Sequence, residues 1–182
     1  MTMQFIARAV GSGGSGSPSA IFSFSSIPQT FTHLQVRGFV RSTYAATEDT
    51  LYAYNFNNNG ASTGSAYHTL FGNGTGVSAT GGTGSFSSIV GFIPGNTATA
   101  NVYGQFILDI LDYTNTNKNK TLRIITGYDN NGSGTVGLFS NLPLTLPGTS
   151  AITTMSFLCN GNITADSRFD LYGISTSEVT GA

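Results

Sequence analysis

Apolar and polar residues alternate along several short stretches of the chain. Leu34, Val36 and Val40 are interleaved with polar residues such as Gln35 and Arg37. A period of two predicts a β-strand with one buried face and one solvent-facing side. Similar runs predict further strands over residues 4–10, 51–56, 86–93, 102–111, 122–128, 136–139, 152–158 and 169–174. We therefore expect eight to eleven strands and no α-helix.

Two segments give more specific predictions. The longest apolar segment, residues 102–111, places Phe106, Leu108 and Ile110 at alternate positions, so these side chains are predicted to point together into the core. The stretch from Gly72 to Gly84 is rich in glycine and threonine and has no apolar alternation. It is predicted to be a loop.

The composition supports a fold made of strands and tight turns. Glycine, serine, threonine and asparagine account for nearly half of the chain, and residues that favour helices are scarce. Asn-Gly and Pro-Gly pairs, which favour tight turns, separate the apolar runs. The predicted fold class is all-β, a two-sheet antiparallel sandwich of jelly-roll type. Residues 1–19 are predicted to form an N-terminal strand or arm followed by a Gly-Ser loop, and residues 20–182 the sandwich domain.

The charge balance and the length of the apolar runs exclude two classes of partner, nucleic acids and membranes. The chain has only seven basic and eight acidic residues, with a formal net charge of −1, so it lacks the basic footprint of a nucleic-acid-binding protein. No run approaches the roughly 20 apolar residues that span a bilayer, so no membrane partner is predicted. The first residues do not show the pattern of a signal peptide. The single cysteine cannot form an internal disulfide.

The residues that carry chemistry are few and widely separated. His33, His68 and Cys159 lack the paired spacing of zinc ligands. Asp109 and Asp112 are predicted to lie on opposite faces of a strand, which does not suit the paired carboxylates of a glycosidase. Asp112 and the asparagines after it are predicted to cap turns, and residues 129–132 to form a turn rather than a calcium loop. We therefore predict no catalytic, cofactor-binding or metal-binding residues, no cofactor and no enzymatic activity.

Three longer blocks carry a family resemblance. They read SSIPQTFTHL at residues 25–34, ILDYTNTNKNKT at 110–121 and SRFDLYGI at 167–174. Together with YNFN at 54–57, these blocks resemble segments of small virion structural proteins of tailed bacteriophages. The likeness extends from about residue 20 to residue 174. One departure is that the family pattern has Gly-Leu-Trp after Ser140, where this chain has Asn-Leu-Pro in a predicted loop.

The resemblance implies a non-enzymatic structural protein of the virion. Its first implied role is that of a capsid cement or decoration protein that stabilises the head shell. The implied partners are the major capsid protein and copies of the chain itself, in an oligomeric arrangement on the capsid surface. The alternative is a tail-fibre or receptor-binding module that recognises a host glycan, with Tyr44, Tyr52 and Tyr54 as a sugar platform. A bacterial adhesin or another non-viral β-sandwich is a third possibility.

The N-terminal segment is the predicted assembly arm. Residues 1–10 carry one charge, and their apolar residues are Met1, Met3, Phe5, Ile6 and Val10, besides the two alanines. A Gly-Ser run follows, which would let the segment reach a neighbouring subunit as an added strand. The other possibility is that residues 4–10 form an edge strand of their own sheet. In either case, a chain with so few charges is expected to attach through apolar surface.

Overall fold

Two antiparallel β-sheets pack face to face in the computed structural model, which describes residues 1–11, 22–54, 56–58, 65–84, 88–143 and 149–175. The larger sheet has eight strands and the smaller has four. The hydrophobic core lies between the two sheets. The prediction of an all-β, two-sheet antiparallel sandwich is confirmed.

The described residues form twelve strands and one short 3₁₀ turn. In chain order they are β1 (Thr2–Val10), β2 (Phe22–Phe24), β3 (His33–Val40), β4 (Glu48–Tyr54), the 3₁₀ turn (Phe56–Asn58), β5 (Ser65–Gly72), β6 (Val77–Gly84), β7 (Ser88–Pro94), β8 (Gly104–Leu111), β9 (Thr121–Gly127), β10 (Val136–Pro143), β11 (Met155–Cys159) and β12 (Arg168–Ser175). The large sheet has the order β1-β12-β3-β8-β9-β10-β5-β6, and the small sheet has the order β2-β11-β4-β7. The count exceeds the predicted eight to eleven.

The core is built around phenylalanine rings from both sheets. Phe106, Leu108 and Ile110 of β8 are all buried, which confirms that they share the inner face of that strand. The ring of Phe106 lies 5.1 Å from that of Phe169 on β12 and 6.0 Å from that of Phe157 on β11. Because Phe157 belongs to the small sheet, this ring cluster joins the two layers, and aromatic pairs add to the stabilisation from burial alone.

The predicted loop from Gly72 to Gly84 is wrong, because most of it is a strand. β6 pairs with β5 over eight residues, from Ser65 opposite Gly84 to Gly72 opposite Val77. The turn between them is fixed by Asn73, whose side-chain oxygen accepts hydrogen bonds from the backbone N–H groups of Thr75 and Gly76, both at 3.1 Å. Residues 77–84 lack the apolar alternation of a strand, and they form one because their backbone pairs with β5.

Two further boundaries differ from the sequence prediction. The strand predicted over residues 51–56 ends at Tyr54, and Phe56 is instead buried in the 3₁₀ turn. Asn57 holds this turn at a positive φ of 56°, and its side-chain oxygen accepts a hydrogen bond from the N–H of Thr153 at 2.7 Å. Residues 141–143 are not a loop, since β10 continues to Pro143.

β1 is an edge strand of the large sheet. It pairs antiparallel with β12, from Thr2 opposite Ser175 to Val10 opposite Arg168. Of the two placements predicted for the N-terminal segment, the structure shows the edge strand, so the described strand of residues 1–19 belongs to the sandwich itself. The Gly-Ser run that follows lies outside the described residues, apart from Gly11.

The turn between β8 and β9 is anchored to its surroundings by buried polar groups. Lys120 is fully buried and donates hydrogen bonds to the carbonyl oxygens of Asn115 and Thr149. Burial lowers the pKa of its ammonium group. Asn115 also caps the turn, because its side-chain oxygen accepts a hydrogen bond from the N–H of Asn117 at 2.8 Å. Asp112 forms an ion pair with Lys118.

The ion pair of Asp112 predicts a specific acid dependence of stability. The hydrogen bond from Lys118 and the charge of that lysine hold the pKa of Asp112 below its usual range. Because the folded-state pKa is lower than the unfolded one, the pair contributes its full stabilisation above about pH 4 and loses it as the pH falls through the folded value. The substitution Asp112→Asn removes the negative charge, and asparagine tolerates the positive φ of 49° at this position.

We therefore expect the wild-type protein to exceed Asp112→Asn in free energy of unfolding at about pH 5, and this advantage to shrink towards about pH 2. Urea unfolding at closely spaced pH values measures the difference. A difference that is independent of pH would contradict the role given to the ion pair.

Candidate functional site

The side of the large sheet that points away from the small sheet, here called the outer face, carries an ordered row of side chains. Strand register places one residue from each of seven adjacent strands in this row, which runs Arg8, Asp170, Arg37, Ile107, Ile125, Leu138, Leu70. The first three are charged and the last four are apolar. The row therefore divides the face into a charged half, on β1, β12 and β3, and a largely apolar half, on β8, β9, β10 and β5, in which Asp109 and Arg123 also face outward.

The apolar half exposes aliphatic side chains to solvent. Ile107, Ile125, Leu138 and Leu70, here called the apolar row, are 38%, 56%, 50% and 50% exposed. The outward positions of an antiparallel sheet are normally polar when that side faces water. Val136 and Val77 extend the exposed apolar surface beyond the row. A contiguous patch of this kind, unlike a single exposed leucine, is typical of interaction surfaces.

The charged half is organised around one carboxylate. Asp170 is buried beneath the arginines, and it accepts hydrogen bonds from Arg8 at 2.6 and 3.2 Å and lies 3.4 Å from Arg168. The bond to Asp170 raises the pKa of Arg8, which stays charged. The guanidinium of Arg168 lies 4.9 Å from the centre of the Phe39 ring. Arg8, Arg37 and Arg168, here called the arginine cluster, thus have defined positions.

A second, polar row runs beside the first. Asp109 accepts a hydrogen bond from Gln35 at 2.7 Å and one from Arg123 at 2.8 Å. Arg37 donates to the side-chain oxygen of Gln35 at 2.6 Å, so its charge is held by an amide rather than a carboxylate. A concavity of about 1070 Å³ spans the face from the arginine cluster to Leu138.

The residues predicted as an assembly arm lie at one edge of this face. Met3, Phe5 and Val10 are exposed, and the Phe5 ring packs edge-on against Tyr172 at 5.8 Å. Ile6 is half-buried and packs against the core, while Met1 precedes the strand and is exposed. The structure therefore brings part of the predicted set next to the arginine cluster.

The sequence reasoning missed the apolar row. The available signal was that β8 and β9 carry isoleucine at outward as well as inward positions, which breaks the expected apolar-polar alternation.

The other residues singled out from the sequence have structural surroundings. The Nδ1 atom of His33 accepts a hydrogen bond from the N–H of Asp112 at 2.9 Å, and His68 is exposed on β5. Cys159 is buried, and burial raises the pKa of its thiol, which donates to the carbonyl oxygen of Gly161. Asp109 lies on the outer face and Asp112 in the turn, so the structure does not pair their carboxylates.

The turn predicted at residues 129–132 is confirmed. Asp129 accepts a hydrogen bond from the N–H of Gly132 at 2.8 Å. Of the three tyrosines considered as a sugar platform, Tyr44 is exposed in the loop after β3 and Tyr52 is half-buried on β4. The side chain of Tyr54 lies outside the described part of the chain.

The described residues lack a metal-binding cluster and a membrane-spanning helix. Within the part of the chain that the structure describes, no group of three or more histidine, cysteine, aspartate or glutamate side chains is placed to hold a metal ion. Among the same residues, no helix has the length and apolar character needed to cross a bilayer.

Comparison with known proteins adds no relative. The chain shows no significant match to a protein-family model, to a curated protein or to a solved structure. The resemblance to phage virion proteins therefore stays a prediction from the sequence blocks.

Proposed function

We propose that this chain is a non-enzymatic structural protein of a phage virion, and that it acts as a cement protein bound to the major capsid protein. The single observation that carries the proposal is the apolar row, an exposed and contiguous set of aliphatic side chains on a sheet that would otherwise face water. The sequence blocks that resemble phage virion proteins provide the biological context.

The scaffold beneath the apolar row favours binding as a rigid surface. Ile107, Ile125 and Leu138 stand on three central strands, each hydrogen-bonded on both sides. A surface held in this way loses little conformational freedom when a partner covers it, so more of the interaction free energy is available for attachment. A protein that reinforces a shell needs such a surface rather than a flexible one.

The scarcity of charge also supports attachment through apolar contact. The chain has 15 charged side chains in total, and several of these, such as Arg8 and Asp170, are already paired with each other. Ion pairs with a shell would be screened at moderate salt, whereas apolar burial is not. We therefore expect binding that persists as the ionic strength rises.

The test is to add the purified protein to parent capsids that have been stripped of it. We expect rebinding in many copies per particle, both at low salt and at about 0.5 M salt, where the Debye length is roughly 4 Å. Sedimentation followed by quantitative gel analysis gives the copy number. Binding to host cells in place of capsids would reject the cement function in favour of receptor recognition, and loss of binding at high salt would reject the apolar mechanism.

A further inference from the structure

We infer that the outer face receives a different protein whose surface presents an apolar ridge bordered by carboxylates, and that a second copy of this chain is not its occupant. The inference deepens the proposed function and rests on it, because it takes the major capsid protein as the source of that ridge. It is carried by the size of the face, the division of its side chains and its charge.

The area of the face is sufficient for one stable contact. Eight strands spaced about 4.8 Å apart, each with about eight residues that rise 3.3 Å, give a sheet surface of roughly 1,000 Å². A standard interface buries about 800 Å² on each partner. The apolar half occupies four of the eight strands and so offers only about 500 Å². A stable complex must therefore cover part of the charged half as well.

A second copy cannot cover both halves favourably. In a symmetric dimer each copy offers the same patch to the other. The two-fold axis of such a dimer lies in the plane between the two outer faces. If the axis is parallel to the apolar row, the arginine cluster of one copy faces the arginine cluster of the other. If the axis is parallel to the strands and passes through the middle of the sheet, the apolar row of one copy faces the arginines of the other, which would lose water without gaining a partner. Overlap of the apolar halves alone buries only about 500 Å² per copy.

The charge of the face specifies the partner. Among the described outward-facing residues of the large sheet are four arginines, Arg8, Arg37, Arg123 and Arg168, against the two aspartates Asp109 and Asp170. The face is thus positive in a chain whose formal net charge is −1. Both aspartates already accept hydrogen bonds from arginine.

Arg37 is the arginine best placed to meet a partner. Its guanidinium lies over the Tyr172 ring and contacts an amide rather than a carboxylate. A carboxylate presented there would gain charge-assisted hydrogen bonds. Asp129 borders the concavity at its other end, near Val136. The complementary surface therefore carries a carboxylate opposite Arg37 and apolar side chains opposite the apolar row.

The experiment compares three variants with the wild-type protein in rebinding to stripped parent capsids. Ile125→Asp/Leu138→Asp changes the centre of the apolar row at two half-exposed positions. Arg37→Glu reverses one charge of the arginine cluster. Tyr44→Asp is the matched control, because Tyr44 is 42% exposed and lies in the loop after β3, in contact with Gly161 in the loop that follows β11 of the small sheet. Circular dichroism and thermal unfolding establish that each variant is folded.

We expect the wild-type protein and Tyr44→Asp to rebind equally. Ile125→Asp/Leu138→Asp should bind at least about 100-fold more weakly at every salt concentration, since a carboxylate replaces buried aliphatic contact at two central positions. Arg37→Glu should bind about tenfold more weakly at low salt and show a smaller deficit at high salt, as expected for a screened charge contact.

Other outcomes would overturn the inference in distinguishable ways. If the wild-type protein rebinds and the double variant rebinds equally well, the outer face is not the docking surface, although the cement function stands. If Arg37→Glu binds more tightly, the partner surface is basic. A wild-type dimer in light scattering that the double variant abolishes would make a second copy the occupant. If the wild-type protein does not bind capsids at all, the proposed function and this partner both fail.

Discussion

Leu108→Asp is expected to abolish soluble expression of the protein, whereas Ile107→Asp, one residue earlier in the same strand, is expected to leave it folded. Leu108 is fully buried, and in the ladder it lies between Val36 of β3 and Ile124 of β9. A carboxyl group at this position would have no hydrogen-bond partner in the apolar core, so it would either lose its hydration as a charge or be forced to take up a proton. Either cost, added to the lost packing of the leucine, is comparable with the roughly 5–15 kcal/mol by which a domain is typically stable.

Ile107→Asp is the control for this prediction because it adds the same charge to the same strand. Its side chain points to the outer face and is 38% exposed, so a carboxylate there keeps its water. Soluble yield and the circular dichroism spectrum of the two variants measure the difference. If Ile107→Asp were the insoluble variant, the inward and outward faces of β8 would be reversed. In that case Ile107 would point into the core and the apolar row would not be exposed.

Deletion of residues 2–10 is expected to destabilise the fold severely rather than to free a dispensable arm. The deletion removes the strand that pairs with β12 and uncovers core next to Ile6, Ala7 and Ala9. It also takes Arg8 away from the carboxylate of Asp170, whose side chain is only 9% exposed. Asp170 would then keep only the more distant Arg168, at 3.4 Å, as a charged partner among the described residues. Thermal unfolding should show a midpoint lowered by more than about 10 °C, or no cooperative transition.

The control for the deletion keeps the strand and changes only its exposed apolar surface. Phe5→Ser alters a side chain that is 49% exposed and leaves the backbone ladder to β12 intact. Its midpoint should stay within a few degrees of the wild-type value. If the deleted protein instead unfolds at the wild-type temperature, residues 2–10 are an arm that the sandwich does not need.

The elements that the sequence predicted well are those whose pattern depends on a single strand. β3 and β8 alternate apolar and other residues, and a slip of one residue would turn the whole apolar set out of the core. Phe106, Leu108 and Ile110 could therefore be assigned to one face before any partner strand was known. β6 could not, because its sequence has no apolar period. It becomes a strand through its backbone bonds to β5.

The candidate site was less predictable because it depends on which strands are neighbours. Leu70 on β5 and Leu138 on β10 are opposite each other in the ladder, yet the two strands are far apart in the chain. Arg8 and Asp170 are 162 residues apart. Periodicity within one strand carries no information about such pairings. The sequence did identify the apolar character of β1, but its position beside β12 required the assembled sheet.

The pairing of β1 with β12 also sets how the protein responds to mechanical load. Thr2 lies opposite Ser175 at one end of this ladder, and Val10 lies opposite Arg168 at the other. A force that separates Thr2 from Ser175 therefore acts on the backbone bonds one after another, as in the opening of a zipper, instead of loading them all at once. The bond between Arg8 and Asp170 lies near the far end, so it is among the last to be reached. Tension applied between Thr2 and Ser175 would peel the outermost strand from the sheet at low force. Tension along the length of the strands would load all the backbone hydrogen bonds of the ladder together.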